Sequence, residues 1–211
     1  GDLEGSVLGA PPPDGAWAKF PFFAKANGID ISKVKVEPVG FPTREPMLAE
    51  GKVDSVTGFS FSSYLNLVRL GVPEEDISTI LMADHGLKLY GNAVIVNTDY
   101  AKNNSDMVKK FLVAIGAGWR DAIKDPKAAA AALVKRNPAA DAALEQRRLQ
   151  LAIDANVLTD YVKANGMGGV DSSRFAAAIE QLSETYEYKA APNAALYFTD
   201  EYLPASGISL N

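Results

Sequence analysis

A strand, a tight loop and a helix are predicted by residues 7–17, VLGAPPPDGAW, together with AKFPFFAKANG over residues 18–28. Residues 7–10 form an apolar run too short for a helix, and the prolines and Asp-Gly pair that follow mark a turn. Such a loop lies at the carboxyl end of a strand and the amino end of a helix, where free backbone N–H groups favour polar or anionic ligands. The alternative is that Pro11 to Asp14 form only a turn with an aspartate cap. The local sequence leaves both interpretations open.

The composition indicates a globular protein with a substantial core. The chain has 211 residues, of which 47% are hydrophobic, enough for one large or two small domains. The net charge of -5 is spread along the chain without a basic stripe, so nucleic acid is not expected as a partner. Cysteine is absent, which excludes disulfides, thiolate metal ligands and cysteine nucleophiles. No run approaches the ~20 apolar residues that span a bilayer, and any export signal is expected outside this chain.

Further strands are predicted along the first half of the chain, separated by short helices. They are expected over residues 34–39, 53–59, 77–82 and 90–97, where apolar and β-branched residues alternate or cluster between turn signals. With the first strand this makes five. The alternation of strands and helices predicts an open α/β sheet with binding loops at the carboxyl ends of its strands.

From Ser105 onward the pattern is almost wholly helical. Three aspartates, Asp125, Asp141 and Asp171, stand at predicted helix starts and are suited to cap them. Apolar residues recur at helical spacing after these starts and predict faces turned toward a core.

The candidate chemistry is ligand binding. His85 is the single histidine and therefore the one imidazole that could act as the base for a hydroxyl nucleophile. We expect it instead to be a hydrogen-bonded loop residue. No metal-ligand spacing and no phosphate-binding glycine motif is present, so neither a metal nor a cofactor is predicted. The candidate ligand-binding residues lie in loops after predicted strands and offer aromatic, hydroxyl, amide or backbone groups: Pro11, Asp14, Gly15, Trp17, Phe41, Arg44, Phe59, Ser60, Tyr90 and Asn92.

Each candidate also has a structural interpretation. Trp17 and Phe59 are of a type more often found in a core than in a ligand platform. Arg44 stands beside Glu45, and such a pair is typical of a solvated surface.

Three segments carry a resemblance to a known family. Residues 3–11, 44–59 and 90–97 resemble the solute-binding proteins of ABC importers in the NMT1/THI5-like group, and the similarity runs through nearly the whole chain. The resemblance implies an α/β fold of the type II periplasmic binding protein, an open mixed sheet with flanking helices. Residues 1–91 would form the second lobe. Residues 92–211 would form a crossover strand and a mostly helical return to a first lobe that lacks its N-terminal segment.

The resemblance also implies a function. A member of this group binds a small organic solute, such as a pyrimidine precursor of thiamine or a sulfonate like taurine, and delivers it to an ABC permease without chemical turnover. The expected location is periplasmic or extracytoplasmic, with a lipid anchor. Where the N-terminal segment is absent, exposed apolar helix faces predict self-association.

Three other functions are alternatives to solute delivery. Thiamine-pyrimidine synthases resemble the same fold but depend on a cysteine-rich motif, which this chain lacks. A LysR-like effector domain shares the architecture, but no helix-turn-helix with a basic face precedes it here. A ligand-sensing lobe without a transport role stays open.

Overall fold

A computed structural model describes residues 2–183, 186, 188–190, 192–205 and 207–210. The chain divides into two compact units. The first, unit 1, comprises Gly1–Tyr90 and Ala176–Ala190, and the second, unit 2, comprises Gly91–Phe175 and Ala191–Asn211.

Unit 1 is built on a three-stranded parallel sheet. Its strands are β1 (Val7–Ala10), β2 (Lys35–Pro38) and β3 (Ser55–Val56), in the order β2-β1-β3. In the register, Leu8 of β1 lies beside Val36 on one side and beside Ser55 on the other. Because parallel strands need a crossover connection, a helix follows each of the first two strands before the next begins. The strand, loop and helix predicted over residues 7–28 are confirmed.

Seven buried residues form the core of unit 1. Phe20 and Phe23, three residues apart, share one face of the first helix, and Phe22 packs beside Tyr186. Leu182 of the returning segment packs on the edge of this core. The buried members are Leu8, Phe20, Phe22, Phe23, Ala24, Val34 and Leu87.

The regular secondary structure in the described residues of unit 2 is helical apart from one antiparallel bridge between Met167 and Ile208. Its helix starts follow the predicted caps: the carboxylates of Asp125, Asp141 and Asp171 accept hydrogen bonds from the backbone N–H groups of Ala128, Leu144 and Arg174. Each bond satisfies one of the free donors that every helix leaves at its amino end.

The bounds of the α-helices complete the description, and short 3-10 turns connect several of them. They are α1 (Phe20–Ala26), α2 (Arg44–Ala49), α3 (Ser60–Arg69), α4 (Thr98–Asn103), α5 (Ser105–Lys124), α6 (Pro126–Arg136), α7 (Ala142–Ala152), which continues into a π-helical turn over Ile153–Val157, α8 (Asp160–Asn165), α9 (Ser172–Ser183) and α10 (Ala194–Tyr197). The first four residues of α9 belong to unit 2 and the rest to unit 1.

Two of the five predicted strands are wrong. Residues 77–81 and 90–97 form no strand, and Met82–His85 is a 3-10 turn. Their apolar side chains include exposed residues, with Ile80 at 58% and Ile95 at 91%. A strand exists only where its backbone pairs with a neighbour, and the described part of the chain provides none for these segments. The sheet is therefore parallel, where a mixed sheet was expected, and the predicted crossover strand after residue 92 does not form.

No helix among the described residues combines the length and apolar character needed to cross a bilayer.

Two glycines of α5 give a test of the packing in unit 2. A Cβ at Gly116 would clash with the γ-methyl of Ile208, which is buried and stiff, whereas a Cβ at Gly118 meets nothing within 4 Å. We expect Gly118→Ala to stabilise the protein by about 0.5–1 kcal/mol through helix propensity. Gly116→Ala should lose about 1–3 kcal/mol to overpacking. Denaturant unfolding of both variants measures the difference, and equal effects would contradict the packing of α5 on the residue 208 segment.

Candidate functional site

The loops that follow β1, β2 and β3 meet at one edge of the sheet, because the carboxyl ends of parallel strands lie on the same side. The first loop carries Asp14, the second carries Phe41 and leads to Arg44 at the start of α2, and the third carries Thr57 and Phe59. These are the loops in which the sequence predicts ligand contacts.

We call the space between the first and third of these loops the crevice, because the strand order makes it the expected place for a ligand. With β1 central, the chain passes first to β2 on one side and then to β3 on the other. In open α/β sheets, ligands bind at such a reversal, outside the carboxyl ends of the two strands that flank it. Asp14 and Thr57 come from these two loops, and the Thr57 hydroxyl donates to Asp14 Oδ2 at 2.8 Å. This hydrogen bond joins the two sides of the crevice at its floor.

A buried guanidinium extends this floor. Arg44 donates from Nη2 and Nε to Glu45 Oε1 at 2.6 and 3.0 Å, and from Nη2 to the Ser63 hydroxyl oxygen at 3.1 Å. Its Nη1 lies 3.6 Å from Asp14 Oδ2. Ser63 in turn donates to Glu45 at 2.7 Å. We call Asp14, Arg44, Glu45, Thr57 and Ser63 the Arg44 cluster.

The charged members of the Arg44 cluster are withdrawn from water. Arg44 is 7% exposed, Glu45 3% and Asp14 8%. Burial acts to raise the pKa of Glu45, but the hydrogen bonds from Arg44 and Ser63 and the charge of Arg44 together hold that pKa below its ordinary value of 4.5. Glu45 is therefore a carboxylate at neutral pH, and Arg44 and Ser63 both donate to its Oε1.

The third loop leaves room for the guanidinium only because it carries a glycine. A Cβ at Gly58 would lie 3.0 Å from Arg44 Cζ and would clash with the Ser63 hydroxyl. By contrast, a Cβ at Gly15 in the first loop meets nothing within 4 Å. Gly58 thus permits the close approach of the β3 loop to the Arg44 cluster.

Two aromatic side chains are exposed beside the Arg44 cluster. The guanidinium carbon of Arg44 lies 5.8 Å from the ring centroid of Phe41, which is 50% exposed. Phe59 directly follows Gly58, is 54% exposed, and stacks on Phe61 with centroids 5.4 Å apart. Exposed aromatic rings beside a buried polar floor suit a flat ligand that stacks and forms a few hydrogen bonds.

The structure places the predicted site residues in different settings. Asp14 and Arg44 lie in the Arg44 cluster, with Phe41 and Phe59 beside it. Arg44 does not form the solvated surface pair with Glu45 that its sequence neighbourhood favours, because two carboxylates and a hydroxyl surround it. Trp17 packs against the core of unit 1 and stacks on Phe20 at 5.6 Å, so part of its ring is committed to the fold.

The remaining candidates lie on the backbone or farther along the chain. Pro11 is buried, and its carbonyl accepts from the Asp14 N–H at 2.9 Å, while Asp14 Oδ1 accepts from the Ala16 N–H. The predicted turn is thus present and the Asp14 carboxylate closes it, but Asp14 caps no helix, because Ala16 stands at the N-cap of the 3-10 turn that follows, without a side-chain cap. Gly15 is exposed in this turn, and Ser60 is the first residue of α3. Tyr90 and Asn92 lie in units 1 and 2 respectively and follow no strand.

Sequence reasoning missed three members of the Arg44 cluster as functional candidates: Glu45, Thr57 and Ser63. Thr57 could have been found, since it lies near the carboxyl end of the strand predicted over residues 53–59, at the edge where the other candidates lie. Glu45 and Ser63 give no such signal, because their roles depend on a guanidinium buried by tertiary packing.

His85 is an exposed loop residue. Its ring meets Phe23 edge to face with centroids 6.3 Å apart, and its carbonyl accepts from the Asn27 side chain at 2.9 Å. This agrees with its predicted role in a loop. Within the described ranges, no group of three or more histidine, cysteine, aspartate or glutamate residues could hold a metal ion.

Comparison with known proteins identifies the class. A family model described as "NMT1/THI5 like" matches residues 1–129, which is more than half of the chain. The chain therefore belongs to the NMT1/THI5-like family, as its resemblance predicts. The whole Arg44 cluster lies within the matched residues.

A curated relative is named for what it binds. The riboflavin-binding protein RibY of Chloroflexus aurantiacus is 26% identical over 213 aligned residues, which cover 96% of this chain and 57% of RibY. The chain thus spans less than two thirds of the length of that relative. The family and the name of this relative both point to small-molecule binding.

The lowered pKa of Glu45 predicts an acid-sensitive step in stability. A carboxyl whose native pKa is below its unfolded value stabilises the fold above the unfolded pKa, and this contribution is lost as pH falls through the native pKa. We expect the free energy of unfolding to decrease as the pH drops below about 4.5. Glu45→Gln should cost about 2 kcal/mol at neutral pH and flatten that fall.

Urea unfolding at several pH values measures this dependence. Glu50→Gln is the matched control, because Glu50 is exposed and outside the Arg44 cluster. Glu4, Asp30 and Asp171 also have lowered pKa values and titrate in every variant, so the comparison isolates Glu45. An unchanged pH profile in Glu45→Gln would contradict the assigned role.

Proposed function

We propose that this protein binds a small organic solute at the carboxyl edge of the β2-β1-β3 sheet and serves as the binding component of an ABC importer. The solute lies over the Arg44 cluster and between the exposed rings of Phe41 and Phe59. The protein delivers the solute to a permease, from a periplasmic or lipid-anchored extracytoplasmic position, and does not transform it.

One observation carries this proposal: half-exposed aromatic rings from two loops stand beside a buried, hydrogen-bonded polar floor built from all three. Large apolar rings are normally covered, so exposed rings at the edge where α/β sheets bind ligands favour a stacking surface. The floor supplies fixed acceptors that orient the ligand. The other predicted contacts within unit 1, Pro11, Gly15, Trp17, Ser60 and Tyr90, remain part of the proposal, and Asn92 of unit 2 stays a separate prediction.

The bonding of the hydroxyl groups supports binding without turnover. Thr57 and Ser63 donate to the carboxylates of Asp14 and Glu45, which fixes the floor, and the lowered pKa of Glu45 makes that carboxylate a weak general base for Ser63. The cluster contains no imidazole to accept a proton from them.

The name of one relative supports a flat aromatic solute. RibY is named for binding riboflavin, whose flat ring suits a stacking surface, and pyrimidine precursors of thiamine share that flatness. Isothermal titration of the 211-residue chain with riboflavin, hydroxymethylpyrimidine and taurine tests the proposal. We expect micromolar or tighter binding of at least one compound and no product after prolonged incubation. Failure of all three to bind, or release of a product, would contradict it.

Phe59 provides the sharper test. We expect Phe59→Ala to weaken binding of the compound selected by the titration about 3- to 10-fold, since an aromatic pair contributes about 0.5–1.5 kcal/mol beyond its buried area. Phe111→Ala is the matched control, because Phe111 is 53% exposed on α5 in unit 2. Fluorescence or calorimetric titration of both variants gives the result. Equal effects of the two substitutions on ligand affinity would show that Phe59 does not contact the ligand.

Self-association stays a prediction. Unit 2 exposes several apolar side chains, among them Ile95, Phe111 and Leu196. Light scattering over a wide concentration range tests it, and a constant monomer mass would contradict it.

A further inference from the structure

Residues 91–96, at the start of unit 2, form an extended segment without a partner strand in the described part of the chain. No turn or bend interrupts residues 87–97, and Asn97 has an extended backbone with φ -62° and ψ 130°. Among the described residues, none forms a hydrogen bond with the backbone N–H or C=O groups of residues 91–96. A row of unpaired backbone groups in an extended chain is a template for a further strand.

The side chains of this segment are typical of a strand, yet they lie outside a core. Residues 92–97, NAVIVN, place three consecutive β-branched residues between polar ends. Ile95 is 91% exposed and Val94 is 55% exposed. Such residues fit the half-buried surface of a sheet, and covering them would contribute about 25 cal/mol for each Å² of apolar area removed from water.

The order of the residues favours a second copy of this chain as the partner. In a two-fold symmetric antiparallel pair, the axis passes through a residue that faces its own copy, because hydrogen-bonded and non-hydrogen-bonded pairs alternate along the strands. With the axis at Ile95, each Ile95 faces the other, and Val94 of each copy faces Val96 of the other. The central pairs are then all β-branched, a type of cross-strand pair that stabilises a sheet.

The charge pattern favours the same partner. The chain has a net charge of -5, so two copies repel each other in general. Residues 89–98, between Lys88 and Asp99, contain no charged side chain. Because like charges directly opposite each other destabilise a strand pair, an uncharged stretch is suited to pairing with its own copy.

The alternative surface for self-association is the exposed apolar face of α5. Met107 and Phe111 lie four residues apart on that helix and are 55% and 53% exposed. This face offers apolar contact alone, since the backbone groups inside a helix are already hydrogen bonded to one another. Residues 91–96 offer both apolar side chains and unpaired backbone groups, which together specify a register.

We infer that two copies of this chain associate through residues 92–96, which pair as antiparallel strands about a two-fold axis at Ile95. The inference does not depend on the solute site, and it assigns the predicted self-association to one segment. Because the segment is short, it buries less than the ~1,600 Å² of a standard interface, and we expect a dimer that dissociates on dilution.

Single cysteines test the register, because this chain has no cysteine of its own. Ile95→Cys should form a disulfide-linked dimer under mild oxidation, since directly opposed Cβ atoms lie about 4.5–5.5 Å apart. Val94→Cys and Val96→Cys should cross-link with each other when mixed and much less when each is alone. Phe111→Cys is the control on α5, and it should cross-link at least about tenfold more slowly than Ile95→Cys, because the proposed pairing does not bring it to its own copy.

A charge variant tests the contribution of the segment to affinity. Ile95→Lys places two like charges at the axis and should weaken the dimer at least about tenfold, as measured by sedimentation equilibrium over a range of concentrations. Phe111→Lys makes the same change on α5 and should alter the dimer by less than about twofold. Both side chains are exposed, so both variants should fold, which circular dichroism verifies.

Several results would overturn this inference. They are a monomer at every concentration, a dimer that Phe111→Lys weakens as much as Ile95→Lys does, and cysteines that cross-link without regard to position. Growth into fibres would also overturn it, because a closed two-fold contact ends at two copies. Failure to dimerise leaves the proposed solute binding intact, and failure to bind any of the solutes leaves this inference intact.

Discussion

The burial of Arg44 is the constraint on which the carboxyl edge of the sheet depends. An arginine keeps its charge in any surroundings, so a guanidinium shielded from water must be matched by acceptors on every side. Its partners come from separate parts of the chain: Asp14 from the loop after β1, Glu45 from its own helix and Ser63 from α3. Each of these segments is thereby held in place by its interaction with the guanidinium that it helps to bury. Removing Glu45 would leave the guanidinium with Asp14, 3.6 Å away, as its charged partner in the cluster, and removing Ser63 would take away one of its hydrogen bonds.

This mutual dependence suits a binding site. Loops held by buried charge pairs need little ordering when a ligand arrives, and a preordered surface loses less entropy on binding. The same arrangement also positions the two exposed aromatic rings. Phe41 lies against the guanidinium, and Phe59 follows the glycine on which the guanidinium packs, so both are positioned by the cluster while remaining half exposed.

Sequence signals predict the structure correctly where interactions between neighbouring residues determine it. The run of prolines after β1 and the aspartates before α6 and α7 act on their immediate neighbours, and the structure bears them out. Residues 77–82 and 90–97 show the limit, because β propensity describes how a residue fits a sheet and does not supply the neighbouring strand. Arg44 shows another limit. Its adjacency to Glu45 says nothing about whether the pair faces water, since burial is set by Asp14 and Ser63, far away in sequence.

The separation of these partners along the chain has a consequence for folding kinetics. Thr57 and Asp14, which hydrogen bond across the crevice, are 43 residues apart, and Ser63 and Glu45 are 18 apart. Contacts between distant residues require loop closure, and β1 must pair with β3 before the two loops can meet. We therefore expect the charged groups to lose their water late in folding, after these strands have paired. Weakening the cluster should then accelerate unfolding more than it slows folding. On this expectation, the edge of the sheet where the ligand is proposed to bind governs how long the native state persists more than how fast it forms.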